Sequence, residues 1–150
     1  MLQPTARRTW APRGRTPILK SYDRHDRITA ISAVTDSPRR LRLGFVFDLL
    51  DHNLAAEDFE LFVNRLLRKI RAPITMVIDR LGARKSAAKR LLAKHPDRLA
   101  FDWLPPYTPD LNPTEHVWGH TRYSHLANFI PDDLLHLGRT ASEALRKTRR

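Results

Sequence analysis

The sequence predicts an α/β domain in which a sheet carries helices on its faces. Three observations carry that expectation. Apolar residues alternate in two early segments, recur at three- and four-residue spacing in the segment after them, and then form a short uninterrupted run. Strand-like and helix-like segments follow one another in the order β-β-α-β-α-β-α-α, the order of a sheet flanked by helices. The chain has 150 residues, 41% hydrophobic and 29% charged, which suits one globular domain with enough chain to bury a core and not a disordered segment.

Residues 1–25 read as a Pro/Gly/Arg-rich arm, in which Pro12, Gly14 and Pro17 oppose regular structure. Arg27–Thr35 (RITAISAVT) has the β-branched residues and partial alternation of a strand. Ser37-Pro38-Arg39-Arg40 is a turn, and Leu41–Leu50 (LRLGFVFDLL) alternates again, so the two segments predict a hairpin. In Ala55–Ile70 the period changes, with Phe59, Phe62, Val63, Leu66, Leu67 and Ile70 on one helical face. Pro73 ends that helix, and Ile74–Ile78 is an apolar run suited to a buried parallel strand. Lys85–Lys94 predicts a second helix, Ala88, Leu91 and Leu92 inward and Lys85, Lys89, Arg90 and Lys94 outward. Leu99–Leu104 is a further strand. Four prolines between Pro105 and Pro113 then impose an extended loop, followed by a helix from Pro113 to about Leu126 and a last one over about Pro131–Leu145. The basic tail RKTRR closes the chain.

Charge narrows the function. Lys and Arg exceed Asp and Glu by 27 to 16, a formal net charge of +11, and the surplus is uneven. Residues 1–42 hold ten basic and three acidic side chains, residues 43–150 seventeen and thirteen. Such a surplus points to a polyanion, nucleic acid first, with a merely basic soluble protein as the alternative. Arg7, Arg8, Arg13 and Arg15, grouped around Trp10, are the candidate contacts to DNA phosphates. Trp103 and Trp118 read as packing residues. No apolar run approaches the roughly 20 residues of a membrane span, and no apolar stretch near the start reads as a secretory signal. The lack of cysteine excludes a disulfide scaffold, a thiolate zinc site and a cysteine nucleophile. The expected setting is cytoplasmic, with no membrane partner. GxSxG, P-loop and GxGxxG patterns are absent from the sequence.

Two carboxylates stand out. Asp79 follows the strand Ile74–Ile78 directly, where open α/β sheets place catalytic groups, although a turn-forming Asp would look the same. Glu115 is the third helical residue after Asn112, with Pro113 between, where it can equally serve as a helix-capping acid. As a pair they invite another reading. They lie at element ends with 35 residues between them, and hard cations such as Mg²⁺ or Mn²⁺ take carboxylate oxygens in this way. Two such ions can activate a water or a 3′-hydroxyl and stabilise the leaving oxygen of a phosphodiester. Two acids are few for that chemistry, and a third is expected. His116, His120 and His125 share the next helix, but neither a glutamate base nor a fourth ligand accompanies them.

The stretch LPPYTPDLNPTEHVWGHTR (Leu104–Arg122) resembles the most recognisable segment of the mariner-like insertion-sequence transposases, members of the DDE superfamily endonucleases. VIDRLGARKS (Val77–Ser86) is similar to their second-acid motif, and RRTWAPRGRTP (Arg7–Pro17) to the segment after their first catalytic strand. The resemblance implies a ribonuclease H-like mixed sheet flanked by helices, and metal-dependent strand cleavage and transfer in DNA transposition. It makes Asp79 and Glu115 the catalytic, metal-holding acids, with Mg²⁺ or Mn²⁺ as cofactor and DNA as partner.

The sequence departs from the family pattern in two places. The family's first Asp lies in a strand preceding the segment that matches Leu2–Pro4, so the expectation is a partial, N-terminally truncated catalytic domain over residues 1–150, lacking its first central strand. Asp23, Asp26 and Asp36 come too late to replace that acid. The residue five after Asp79, often His in the family, is Arg84. The expected enzyme is therefore inactive as this chain, and a non-catalytic DNA-binding remnant is the alternative reading. A missing central strand also leaves open strand edges, which favour self-association.

Overall fold

The computed structural model describes residues 10–15, 28–38, 43–79, 82–106 and 108–148. Two compact units emerge, one formed by Met1–His52 with His116–Arg150 and the other by Asn53–Glu115. The expected hairpin is present in the first unit. Thr29–Asp36 (β1) and Leu43–Leu50 (β2) pair antiparallel, Thr29 opposite Leu50 and Asp36 opposite Leu43. Residues 27 and 39–42 of the expected strands and turn lie outside the described residues. Gly44 faces Thr35 across the ladder, and a Cβ at Gly44 would overlap the Thr35 hydroxyl, so the close approach requires glycine.

Leu134–Thr148, the last helix, supplies the rest of this unit's core through Leu137, Ala141, Ala144 and Leu145, one apolar stripe at helical spacing. Leu126 and Ala141 are fully buried, with Ala30, Leu49, Trp118 and Phe129 packed against them. Phe45 meets Trp118 edge-on at 6.4 Å between ring centroids, so Trp118 is the packing residue the sequence suggests. This helix starts three residues later than Pro131. Asp133 caps it, accepting a hydrogen bond from the backbone N–H of His136 at 2.6 Å. It also runs past Leu145 into the basic tail, where Arg146 and Lys147 complement the negative end of the helix dipole.

In the second unit, Ala56–Lys69 (α1), Ile74–Ile78 (β3), Gly82–Lys94 (α2) and Leu99–Trp103 (β4) follow in order. β3 and β4 pair in parallel, Ile74 opposite Leu99 and Ile78 opposite Trp103. The expected face of α1 is buried, with Phe59, Phe62, Val63, Leu66 and Leu67 inside, and Met76, Ile78, Leu91 and Leu99 of the same unit are buried too. Asp58 accepts a hydrogen bond from the Ala55 backbone at 2.8 Å, closing the start of α1. At its other end the Arg98 guanidinium donates to the carbonyls of Leu67 (3.2 Å) and Ile70 (2.7 Å), two acceptors a helix C-terminus leaves unpaired. Arg90 of α2 pairs with Glu60 of α1, and the His95 ring lies 3.2 Å from the Asn64 carboxamide.

Several expectations need correction. α2 starts at Gly82, three residues before Lys85. Its buried stripe is Ala87, Ala88 and Leu91, while Leu92, expected inward, is 38% exposed because it lies about a quarter turn off that stripe. β3 is parallel but not buried on both faces: Met76 and Ile78 are buried, and Val77 is 60% exposed. The helix expected from Pro113 to Leu126 is shorter. Pro113–His120 (α3) gives way to a widened turn at Thr121–His125, in which the Leu126 N–H reaches back five residues to the Thr121 carbonyl at 3.1 Å. Among the described residues the strands form two two-stranded sheets, β1–β2 and β3–β4, small sheets with helices that are compatible with the expected mixed α/β class. Among the described residues, no helix is long and apolar enough to cross a membrane.

Candidate active site

Both candidate acids belong to the Asn53–Glu115 unit. Asp79 is the first residue beyond β3, at the carboxyl end of the parallel pair. The ladder continues one bond past β4: the Leu104 N–H donates to the Ile78 carbonyl at 2.9 Å. The Pro-rich loop leading to Glu115 therefore departs from a backbone position fixed beside Asp79.

That loop is held by its own hydrogen bonds. The Thr108 hydroxyl donates to the Pro105 carbonyl at 2.8 Å, and a short 3₁₀ turn at Pro109–Leu111 follows, with the Leu111 N–H on the Thr108 carbonyl at 3.2 Å. Asn112 then caps α3, its side-chain carbonyl accepting from the Thr114 N–H at 3.2 Å and the Thr114 hydroxyl at 2.6 Å. With Pro113 at the first helical position, this is the helix start expected from the sequence. Glu115 stands in the first turn and is exposed, with its backbone N–H on the Asn112 carbonyl at 3.0 Å. Its placement suits the positive end of the helix dipole.

The surroundings of the two acids differ. Glu115 makes no side-chain hydrogen bond or ion pair among the described residues, whereas Asp79 is ion-paired with Arg84 of α2. The Arg84 side chain is 19% exposed and that of Asp79 38%. Arg84 falls on the inward stripe of α2, three and four residues ahead of Ala87 and Ala88, so the helix itself directs it inward. Its guanidinium lies 6.0 Å from the Phe59 ring centroid, and its Nε is buried without a hydrogen-bond partner. The sequence marks Arg84 only as a departure from the family pattern. The spacing 84, 87, 88, 91 places residue 84 on the buried face of α2, but nothing in that spacing names Asp79 as its partner.

Arg13 and Arg15 are exposed in a turn closed by the Arg15 N–H on the Pro12 carbonyl at 3.0 Å, where Gly14 takes a φ of 82°. Trp10, beside them, is fully exposed. Arg7 and Arg8, with most of the 1–25 arm, lie outside the described residues. Trp103 is a packing residue, stacked at 6.4 Å on Phe101, which meets Phe59 at 6.3 Å. The His120 and His125 rings meet edge to face at 5.6 Å. Among the described residues, no three His, Asp or Glu side chains are grouped so as to hold a metal ion.

A parallel strand ending in an acid, followed by a helix, a second strand and a capped helix bearing another acid, is an α/β arrangement in which two carboxylates are offered at element ends. A family model of the DDE superfamily endonucleases matches residues 1–135, and the chain belongs to that family. The match covers Asp79, Glu115 and the basic arm. No curated protein and no solved structure matches the chain. Members of this family generally depend on divalent metal ions. The side chains described do not fit such a centre by themselves, because a two-metal site needs three or more oxygen donors converging. Among the described residues no such group of three is present, and Asp79 already has an arginine as its counter-ion.

Proposed function

We propose that the chain is a partial, ribonuclease H-like catalytic domain of a mariner-like transposase, that its substrate is DNA, and that Asp79 and Glu115 are the two family acids it contributes. The observation that carries the reading is the pairing of the family match over residues 1–135 with two acids at element ends of one unit, the second on a helix start capped by Asn112. In this reading residues 1–150 are one catalytic domain with residues 1–25 as its basic arm, acting in the cytoplasm, and Mg²⁺ or Mn²⁺ is the ion the acids serve once a third carboxylate joins them. Arg7, Arg8, Arg13 and Arg15 contact phosphates, which position a protein on DNA without reading its sequence.

Two observations favour a second reading, a DNA-binding remnant without catalysis: Asp79 is ion-paired with Arg84, and among the described residues no three acids or histidines are grouped to hold a metal ion. A single set of assays on residues 1–150 separates the readings. Binding to duplex DNA, followed by fluorescence anisotropy, is expected to weaken with salt. If about four to six phosphates are neutralised, log K against log salt slopes by roughly −4 to −5. Replacing Arg7, Arg8, Arg13 and Arg15 with Ala flattens the slope and weakens all sequences alike. Nicking in Mg²⁺ or Mn²⁺ is expected to be absent from this polypeptide. Nicking abolished by Asp79→Ala would instead establish the catalytic reading for the chain as it stands. A salt-independent affinity, or none at low salt, would overturn the DNA assignment.

A further inference from the structure

The structure gives Asp79 a cation of its own. Three independent features hold the Arg84 guanidinium there: the inward stripe of α2, the Phe59 ring beneath it, and the ion pair itself. A guanidinium tethered five residues away sits at a high effective concentration and is more weakly hydrated than an ammonium, so it loses little on approaching a half-buried carboxylate. Mg²⁺ gives up its water reluctantly, and one or two carboxylates without further donors hold it weakly. Guanidinium and metal need the same oxygens. A divalent ion can reach Asp79 only as Arg84 withdraws, and withdrawal leaves a partly buried arginine without its counter-ion.

We propose that Arg84 is a built-in counter-ion that competes with divalent cations for Asp79 and keeps that acid closed to metal in the folded chain. The inference rests on the reading of Asp79 as a family acid. It explains the mismatch between the described residues and a metal centre through one side chain, at a position where the sequence departs from the family pattern. A neutral side chain at 84 opens Asp79 to the ion, whereas a second cation there keeps it closed.

The test is Mn²⁺ binding to the whole chain, read from the electron paramagnetic resonance signal of free Mn²⁺, for the wild type, Asp79→Asn, Arg84→Met, Arg84→Gln, Arg84→Lys and each neutral variant combined with Asp79→Asn. Arg84→Met retains apolar contact with Phe59 and covers the case in which Arg84→Gln fails to fold, with circular dichroism reporting folding. The expected result is about tenfold tighter Mn²⁺ binding in the neutral variants, the worth of one charge-assisted contact. That gain is lost on adding Asp79→Asn and is absent in Arg84→Lys. If folded neutral variants bind Mn²⁺ no more tightly than the wild type, while Asp79→Asn weakens wild-type binding, the competition is overturned and Asp79 survives as a ligand. If all variants bind alike and Asp79→Asn changes nothing, the reading of Asp79 as a metal-holding acid falls as well.

Discussion

At the scale of single residues, charged side chains here are valuable where they meet backbone groups that have no other partner. Arg98 supplies hydrogen bonds to the Leu67 and Ile70 carbonyls at the C-terminal end of α1, the second 2.7 Å long. Arg98→Ala leaves those carbonyls to water and is expected to cost about 1.5–3 kcal/mol, the worth of hydrogen bonds to a charged group, measured by urea denaturation. Asn112→Ala removes the cap of α3 and is expected to cost about 1 kcal/mol. It also loosens the register of Glu115, which a faster amide exchange at Thr114 would reveal. The Asp79–Arg84 pair lends itself to a double-mutant cycle with Asp79→Asn and Arg84→Met. Because both side chains keep some solvent contact, a coupling of about 1 kcal/mol is expected. A coupling of zero would mean the pair does not hold in solution.

At the scale of elements, burial ranks the consequences of mutation. Leu66 on α1 is 2% exposed, and Leu66→Ala is expected to destabilise by about 2–5 kcal/mol through lost transfer energy and the cavity left behind. Val77, in the same unit, is 60% exposed on β3, so Val77→Thr is expected to change stability by less than about 0.5 kcal/mol. Thermal melts of the two variants check the contrast, and equal effects would mean that the outer face of β3 is covered in solution. The periodicity of α1 and of the last helix made their buried faces legible in the sequence, since each carries an unbroken apolar stripe. α2 was harder to orient because its stripe is built from alanines with an arginine at its head, and a hydrophobicity count alone swings it towards Leu92. The widened turn at Thr121–His125 carries no proline or glycine to announce it.

At the scale of the whole molecule, the described strands form two small sheets, and a two-stranded sheet on its own is marginal. Unpaired strand edges recruit other chains. Sedimentation velocity on residues 1–150 is therefore expected to show association that grows with concentration, and a monomer at every concentration would count against it. By itself the sequence determined the element order, the hairpin, the capped start of α3 and the positions of both acids, because these follow from local periodicity, turn chemistry and the fixed φ of proline. Tertiary structure alone decided how the strands divide between sheets, which face of β3 meets solvent and which charge meets Asp79. Those outcomes depend on contacts between groups brought together by packing, and the energy of an ion pair or a ladder is set by burial and by partners that no local pattern encodes.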